Sequence, residues 1–302
     1  MNIFKPDSKT SLFPPAQISG LLVNMLRGID MPRMIYGTAW KRDRTKDLVI
    51  EAVKAGFRGI DAAAKPKNYN EKLAGAGVVE LIDQGYITRE QLFIQTKFSP
   101  MSKEDAETFG CPYNINGQIP EQIFQSFQDS LANFRTDYID SYILHEPYAT
   151  DEENTAAWRT LERLVHEKKV KRIGLSNIYS SHQFNFFWKI AEIKPTVLQN
   201  KFNAEERFHF QFKEFCKQGV TFQSYGTLTA NHNLLAYVNE LEQKPNNLSP
   251  EQVLFKYVQQ LGIVPLNGTS SSTHMKMDLA VENLLELPVE LTHKIDLYIG
   301  KN

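Results

Sequence analysis

Short apolar segments recur along the whole chain, and each is followed by a segment in which apolar residues stand at helical spacing. Such segments are typical of buried strands, and strands that alternate with helices favour a parallel sheet. We expect eight strands, at residues 34–38, 57–61, 92–97, 138–144, 170–175, 196–200, 220–225 and 263–266. Eight strand–helix pairs predict an α/β fold, a closed (β/α)8 TIM barrel. Spacing alone leaves an open doubly wound sheet as a rival, although no GxGxxG follows the first strand.

The remaining segments complete one predicted domain over residues 1–302. A βα barrel commonly uses about 250 residues as one domain, so the length requires no second domain. Helices are expected at 48–55, 71–85, 121–134, 152–168, 182–193, 208–217, from Ser249, from Ser272 and at 291–298, with a long loop at 99–120. Residues 1–30 have two interpretations, an N-terminal extension or a flap that closes the bottom of the barrel.

Charge and cysteine content exclude several classes of function. The 302 residues carry a formal net charge of −1 and no long basic block, so we expect neither nucleic-acid nor membrane binding. The apolar run 21–26 is too short to span a bilayer. Two cysteines indicate neither a disulfide framework nor a metal cluster and fit a reducing, cytoplasmic location.

Three predicted strands end on or just before ionisable residues, namely Asp61, Lys97 and His145, and Tyr69 follows in the loop after the first of them. The carboxyl ends of barrel strands converge on one face, so these residues predict an active site. A phenol is a poor proton donor at neutral pH, and the Lys97 charge is expected to lower the Tyr69 pKa while Asp61 holds Lys97 protonated. Tyr69 would then protonate a carbonyl oxygen.

His145 is expected to be a neutral imidazole that orients and polarises the same carbonyl group. No second His or Cys stands at ligand spacing, so no metal site is predicted. Both residues also have an ordinary structural interpretation, since a loop tyrosine is commonly a half-packed ring and a single histidine commonly a structural residue.

Five strings carry a family resemblance: GIDAAAKPKNYNE, IQTKF, TDYIDSYILHEP, KRIGLSN and VLQNKFN. In this order and spacing they resemble the aldo-keto reductases over nearly the whole chain from about Met31 onward. The KPKNYNE string, a GCPY loop, QSYGTLTAN and the GTSS loop are most similar to a microbial and fungal subgroup. The resemblance implies the closed barrel, the catalytic tetrad Asp61, Tyr69, Lys97 and His145, and NADPH-dependent reduction of aldehydes or ketones to alcohols.

The tetrad has no hydride of its own, so a nicotinamide cofactor must bind. The resemblance points to Ser176, Asn177 and Gln199 as partners of the nicotinamide carboxamide and to Tyr225 as the residue that stacks on the ring. Asn and Gln at strand ends also commonly satisfy loop backbone, which is the structural alternative.

The phosphate end of the cofactor is expected at the turn after the last strand, where backbone N–H groups and hydroxyls can hold an anion. The predicted residues are Gly268, Thr269, Ser270, Ser271 and His274. Many relatives carry a lysine in place of Gly268 and an arginine in place of His274. The cofactor is therefore expected to be NADP(H), with NAD(H) as an alternative.

The predicted partner is a small carbonyl compound, and the chain is expected to be a monomer or a weak homo-oligomer. Two other functions stay open: a catalytically weak, cofactor-sensing binding protein, as the resemblance of some potassium-channel β subunits suggests, and a phosphate-handling barrel isomerase. Aromatic walls for the substrate are predicted from five residues, for which ordinary packing is the alternative: Tyr36, Trp40, Phe109, Tyr113 and Tyr148.

Overall fold

A computed structural model describes residues 30–206, 212–245 and 247–300. Its eight parallel strands follow one another in chain order around a closed barrel. Strand β1 pairs with β8, with Ile35 opposite Leu266, and this pairing closes the sheet. The predicted barrel is therefore confirmed and the open sheet is wrong. The strands are β1 Ile35–Gly37, β2 Gly59–Asp61, β3 Phe93–Phe98, β4 Ile139–Leu144, β5 Val170–Ser176, β6 Val197–Lys201, β7 Thr221–Tyr225 and β8 Val264–Asn267.

Helices connect the strands. They are α1 Thr45–Ala55, α2 Glu71–Asp83, α3 Lys103–Phe109, α4 Ile119–Phe134, α5 Asp151–His166, α6 Ser181–Ile190, α7 Lys213–Lys217, α8 His232–Glu240, α9 Pro250–Gln260, α10 Ser272–Leu279 and α11 Val289–Tyr298. Short 3-10 turns occupy Arg42–Arg44, Arg89–Gln91 and Ala280–Asn283. Within the described ranges, no helix is both long enough and apolar enough to cross a membrane.

Two helices lie where the sequence analysis expected none. Helix α3 interrupts the predicted loop at 99–120, and it begins because the backbone N–H of Asp105 donates to Ser102 Oγ at 3.1 Å. Helix α8 lies between β7 and α9. The proposed flap or extension at residues 1–30 lies outside the described residues, except for Asp30, and so does the predicted helix start at 208. The extent of the domain stays a prediction.

The strands are short and most of their residues are buried, which fits the apolar runs in the sequence. All six residues of β3 and all six of β4 are buried, as expected for parallel strands covered by helices. The few polar residues in these strands consequently lie where every hydrogen bond must come from the protein itself. Asp61 lies opposite Gln95 in the pairing of β2 with β3, which brings two such groups together.

Helix α2 packs unusually closely against α4, and this contact fixes the segment that follows the Tyr69 loop. A methyl group added at Gly75 would overlap the backbone carbonyl of Asn133 in α4. The absence of a side chain at Gly75 is therefore what allows the two helices to approach.

We predict that Gly75→Ala lowers the free energy of unfolding by about 1–3 kcal/mol, because the overlap forces the helices apart. The higher helix propensity of alanine, about 1 kcal/mol, offsets part of this loss. Urea denaturation measures the change, with Lys72→Ala on the exposed face of α2 as the control. An alanine variant as stable as the wild type would show that this close approach does not constrain the fold.

Candidate active site

A cavity of about 900 Å³ opens at the carboxyl ends of the strands. Its lining includes the last residues of β1, β2, β7 and β8 and the residues that follow β4 and β5. Three members of the predicted tetrad line it, namely Asp61, Tyr69 and His145, while Lys97 lies beneath them. The convergence expected from the strand ends is thus present in the fold.

Asp61 and Lys97 form a buried ion pair. Lys97 Nζ donates to the two carboxylate oxygens of Asp61 at 2.7 and 2.6 Å and to the backbone oxygen of Ala62 at 2.9 Å. Asp61 Oδ1 also accepts hydrogen bonds from Gln95 at 2.7 Å and Gln199 at 3.0 Å. Both charges are out of contact with solvent, and these neutral donors and acceptors offset part of the desolvation cost.

The loop between β2 and α2 holds Tyr69 in place. The backbone N–H groups of Asn68 and Tyr69 both donate to the carbonyl of Lys65 at 2.9 Å. The next residue, Asn70, caps α2, because its side-chain oxygen accepts from the N–H of Leu73 at 3.0 Å. The tyrosine is therefore fixed between a tight turn and a helix cap.

The Tyr69 ring lies close to two other tetrad members. Lys97 Nζ is 5.1 Å from its centroid, and the His145 ring meets it edge-on at 5.8 Å. Burial raises the pKa of Tyr69 well above its usual value, and the negative charge of Asp61 adds to that rise. The predicted lowering of this pKa is therefore not found, because burial of the phenol and the nearby Asp61 charge both act in the opposite direction. The phenol keeps its proton at neutral pH.

His145 directly follows β4 and is neutral. Burial lowers its pKa well below the usual value, and the positive charges of Lys97 and Lys65 lower it further. Ser99 Oγ lies 2.6 Å from His145 Nδ1, and the backbone oxygen of His145 accepts from Asn177 Nδ2 at 2.8 Å. The imidazole is thus held by Ser99 at its Nδ1 edge. His145 also lines the cavity.

The residues predicted to bind the nicotinamide differ in whether they line the cavity. Asn177, Gln199 and Tyr225 line the cavity, whereas Ser176 does not. The Ser176 hydroxyl is buried and donates to the backbone oxygen of Gln199 at 2.7 Å, and its role as a cofactor contact stays a prediction. Asn177 Oδ1 accepts from the Tyr225 hydroxyl at 2.6 Å, so Asn177 positions Tyr225.

Two interior glutamines were missed by the sequence analysis. Gln95 and Gln223 exchange hydrogen bonds between their amides at 2.7 and 3.0 Å across the barrel. Gln223 Oε1 also accepts from Gln199 Nε2 at 2.9 Å, so Gln223 links the two amides that donate to the Asp61 carboxylate. A signal was present, because Gln95 stands two residues before Lys97 and alternate strand residues share a face.

The predicted phosphate turn lies only partly in the cavity. Gly268, Thr269 and His274 line it, but Ser270 and Ser271 do not. Ser271 instead caps α10 by accepting the N–H of His274 at 3.4 Å. Ser271 thus lies at the start of the helix rather than in the cavity lining, and the phosphate contacts predicted for Ser270 and Ser271 stay predictions.

A cation missed by the sequence analysis does reach this turn. Lys41, from the loop after β1, donates from Nζ to the backbone oxygen of Gly268 and lines the cavity. Lys201 at the end of β6 lines the cavity as well, and so does the acidic Glu251. Lys41 follows β1 and Gly268 follows β8, and the pairing of these two strands brings the residues together. Because they are far apart in sequence, residue spacing did not predict the contact.

Of the five residues predicted as aromatic walls, Trp40 alone lines this cavity. Tyr36 is fully buried and donates to the backbone oxygen of Thr269 at 2.9 Å, because its strand neighbour Gly37 takes the cavity-facing position. Tyr113 is buried against Phe98 and donates to the Ser99 backbone oxygen.

The other two predicted wall residues also lie away from the cavity. Phe109 is exposed on α3 with the Lys67 ammonium 5.5 Å from its ring centroid. Tyr148 packs against the hydrophobic core. Among the described residues, no group of three His, Cys, Asp or Glu side chains is arranged to hold a metal ion.

Comparisons with known proteins agree with this geometry. The Aldo/keto reductase family profile matches residues 33–298. The chain is 30% identical to glyoxal reductase of Bacillus subtilis, over 91% of each protein. It is 23% identical to NADPH-dependent D-xylose reductase of Meyerozyma guilliermondii, over 86% of this chain and 89% of the other. An aldo-keto reductase from a Medee basin deep-sea metagenome shares the fold, with a TM-score of 0.74, 24% identity and coverage of 89% and 92%.

We predict that Lys97→Met lowers the free energy of unfolding by about 3–5 kcal/mol, because it leaves the buried Asp61 carboxylate without a counter-charge. The double variant Asp61→Asn with Lys97→Met removes both charges, and it should be more stable than Lys97→Met alone. Chemical denaturation of the wild type, the two single variants and the double variant measures this. Strictly additive losses would contradict the coupling.

Proposed function

The chain belongs to the aldo/keto reductase family, and on that premise we propose that it reduces aldehydes or ketones to alcohols with NADPH as the reductant. One observation carries the proposal. The protonated phenol of Tyr69 and the neutral imidazole of His145 lie side by side in a cavity above the buried Lys97–Asp61 pair. Two neutral donors next to a buried cation suit an oxygen that becomes negatively charged during reaction.

The residues of the cavity fit a nicotinamide dinucleotide. Gln199 gives both of its donor bonds to Asp61 and Gln223, and its Oε1 has no partner among the described residues. This oxygen can accept from a carboxamide, and Tyr225, fixed by Asn177, can cover the ring. At the other end, Lys41, Gly268 and Thr269 can hold phosphates, with His274 beside them.

The bound nicotinamide supplies the hydride that no side chain of the protein can provide. As negative charge develops on the carbonyl oxygen, Tyr69 transfers its hydroxyl proton to that oxygen. A Tyr69 with a raised pKa can still do so, because an alkoxide is a stronger base than a phenolate. The Lys97 ammonium, 5.1 Å from the ring centroid, stabilises the phenolate that results. His145 orients the same oxygen.

The relatives supply the first substrates to test. Two of them are named for the reduction of glyoxal and D-xylose, so both compounds belong in a panel of aldehydes and ketones monitored by NADPH consumption. Binding of NADPH without turnover of any member of the panel would favour the cofactor-sensing alternative instead.

We predict that Tyr69→Phe cuts turnover by about 10²-fold or more, the usual scale for loss of a general acid, with cofactor affinity nearly unchanged. Tyr148→Phe is the matched control, because its hydroxyl is buried without a hydrogen-bond partner in the described chain and lies outside the cavity. Steady-state kinetics and cofactor titration measure both. A Tyr69→Phe rate within a factor of two of the wild type would assign the proton to another group.

We further predict a modest preference for NADPH over NADH, on the order of tenfold or about 1.4 kcal/mol. Lys41 is the cation closest to the turn, whereas Glu251 in the same lining opposes a 2′-phosphate. Lys41→Met should therefore reduce the preference, and so should His274→Ala, which removes the side chain that lines the cavity beside the turn.

Titration of both cofactors by quenching of intrinsic fluorescence measures this preference, with Lys72→Met on α2 as the charge-matched control. Tighter binding of NADH than of NADPH would contradict the assignment of the phosphate end. An unchanged preference in both Lys41→Met and His274→Ala would do the same.

A further inference from the structure

Ser99 directly follows β3, the strand that carries Lys97. Its side chain makes one hydrogen bond among the described residues. The residue is fully buried. Its hydroxyl oxygen lies 2.6 Å from His145 Nδ1, and this is the only hydrogen bond of the Ser99 hydroxyl within the described ranges. The backbone oxygen of Ser99 accepts a separate bond from Tyr113 at 2.9 Å. The hydroxyl therefore acts on His145 alone.

The direction of this hydrogen bond can be worked out from burial. If the imidazole donated from Nδ1, the hydroxyl hydrogen of Ser99 would be buried with no acceptor, which is costly. If the hydroxyl donates, Nδ1 is the acceptor and both groups are satisfied. A neutral imidazole has one N–H, so its proton must then be on Nε2.

The charges around His145 support a neutral ring. Lys97 and Lys65 both face it, and both positive charges disfavour protonation together with burial. Glu146 is the acid nearest in sequence, and its carboxylate is engaged by Lys65 at 2.6 Å. His145 Nε2 has no hydrogen-bond partner among the described residues, while the ring lines the cavity beside Tyr69.

We propose that Ser99 is a positioning residue that holds His145 in the tautomer with hydrogen on Nε2, so that the imidazole donates to the carbonyl oxygen of the substrate. The tautomer follows from the contacts of the protein alone, and only its use rests on the proposed reductase function. The opposite tautomer would present a lone pair to the carbonyl oxygen and repel the charge that grows there. Ser99 thereby determines whether both Tyr69 and His145, or Tyr69 alone, can donate a hydrogen bond to the carbonyl oxygen.

The tautomer can be read directly by NMR, without any activity. In protein labelled with ¹⁵N-histidine, two-bond ¹H–¹⁵N correlations at pH 7 distinguish the two neutral forms, and His145→Gln identifies the signals among the seven histidines. We expect the Nε2–H form in the wild type and a mixture of both forms in Ser99→Ala. A wild-type Nδ1–H form, or an unchanged pattern in Ser99→Ala, overturns the proposal.

Kinetics test the use of the tautomer. Ser99→Ala should lower kcat and kcat/KM by about tenfold, less than complete loss of an oxyanion donor. Ser99→Thr keeps the hydroxyl and should recover most of the rate. Tyr113→Phe removes the hydrogen bond to the Ser99 backbone oxygen but leaves the Ser99 hydroxyl intact. The rate of this variant should stay within twofold of the wild type. If Ser99→Ala does not fold, the wild-type spectrum still decides the tautomer.

The two proposals fail differently. A protein that reduces no carbonyl compound but shows the Nε2–H form contradicts the proposed function and leaves the positioning of His145 by Ser99 intact. An active protein whose wild-type His145 carries hydrogen on Nδ1 contradicts the positioning and leaves the reductase function intact. Full activity of Ser99→Ala, with His145 redistributed between the two forms, overturns the catalytic use of the tautomer.

Discussion

The structure depends on the buried ion pair between Lys97 and Asp61. Two opposite charges lie inside the barrel without contact with solvent, which is favourable only when the surrounding groups complete their hydrogen bonds. The Ala62 carbonyl and the amides of Gln95 and Gln199 do so. Because Gln95 and Gln199 lie on β3 and β6, the pair has this full set of hydrogen bonds only when the barrel brings these strands around it.

The pair also sets the protonation of its neighbours. Burial and the Asp61 charge both raise the pKa of Tyr69, so its phenol stays protonated, while burial and the charges of Lys97 and Lys65 lower the pKa of His145. The result is two uncharged hydrogen-bonding groups above a balanced ion pair. In such a site the lysine charge has its largest effect after the tyrosine proton has left, because a phenolate then faces the ammonium through little water.

At the phosphate end of the cavity, the positive charge comes from a residue distant in sequence and not from the turn itself. The turn at Gly268 has no basic residue of its own, yet Lys41 reaches its backbone from the other end of the chain. The β1–β8 pairing that closes the barrel makes this contact possible. A cation can therefore be absent from a motif and present in the site, which is why Lys41 could not be inferred from the turn alone.

The sequence by itself determined the eight strands, most of the helices and the strand-end positions of Asp61, Lys97 and His145, because apolar periodicity and strand termini are local properties. The sequence analysis missed α3, although its Ser102 cap is a local signal, and α8, which buries Leu234 and Val238. Nor could it separate Ser176, whose hydroxyl is used by the backbone, from Gln199, which faces the cavity. Nor could it show which aromatic residues face the cavity, since Tyr36 and Gly37 are neighbours of which only Gly37 lines it. Only the closed barrel decided these points, because orientation and hydrogen-bond partners depend on residues far apart in the chain.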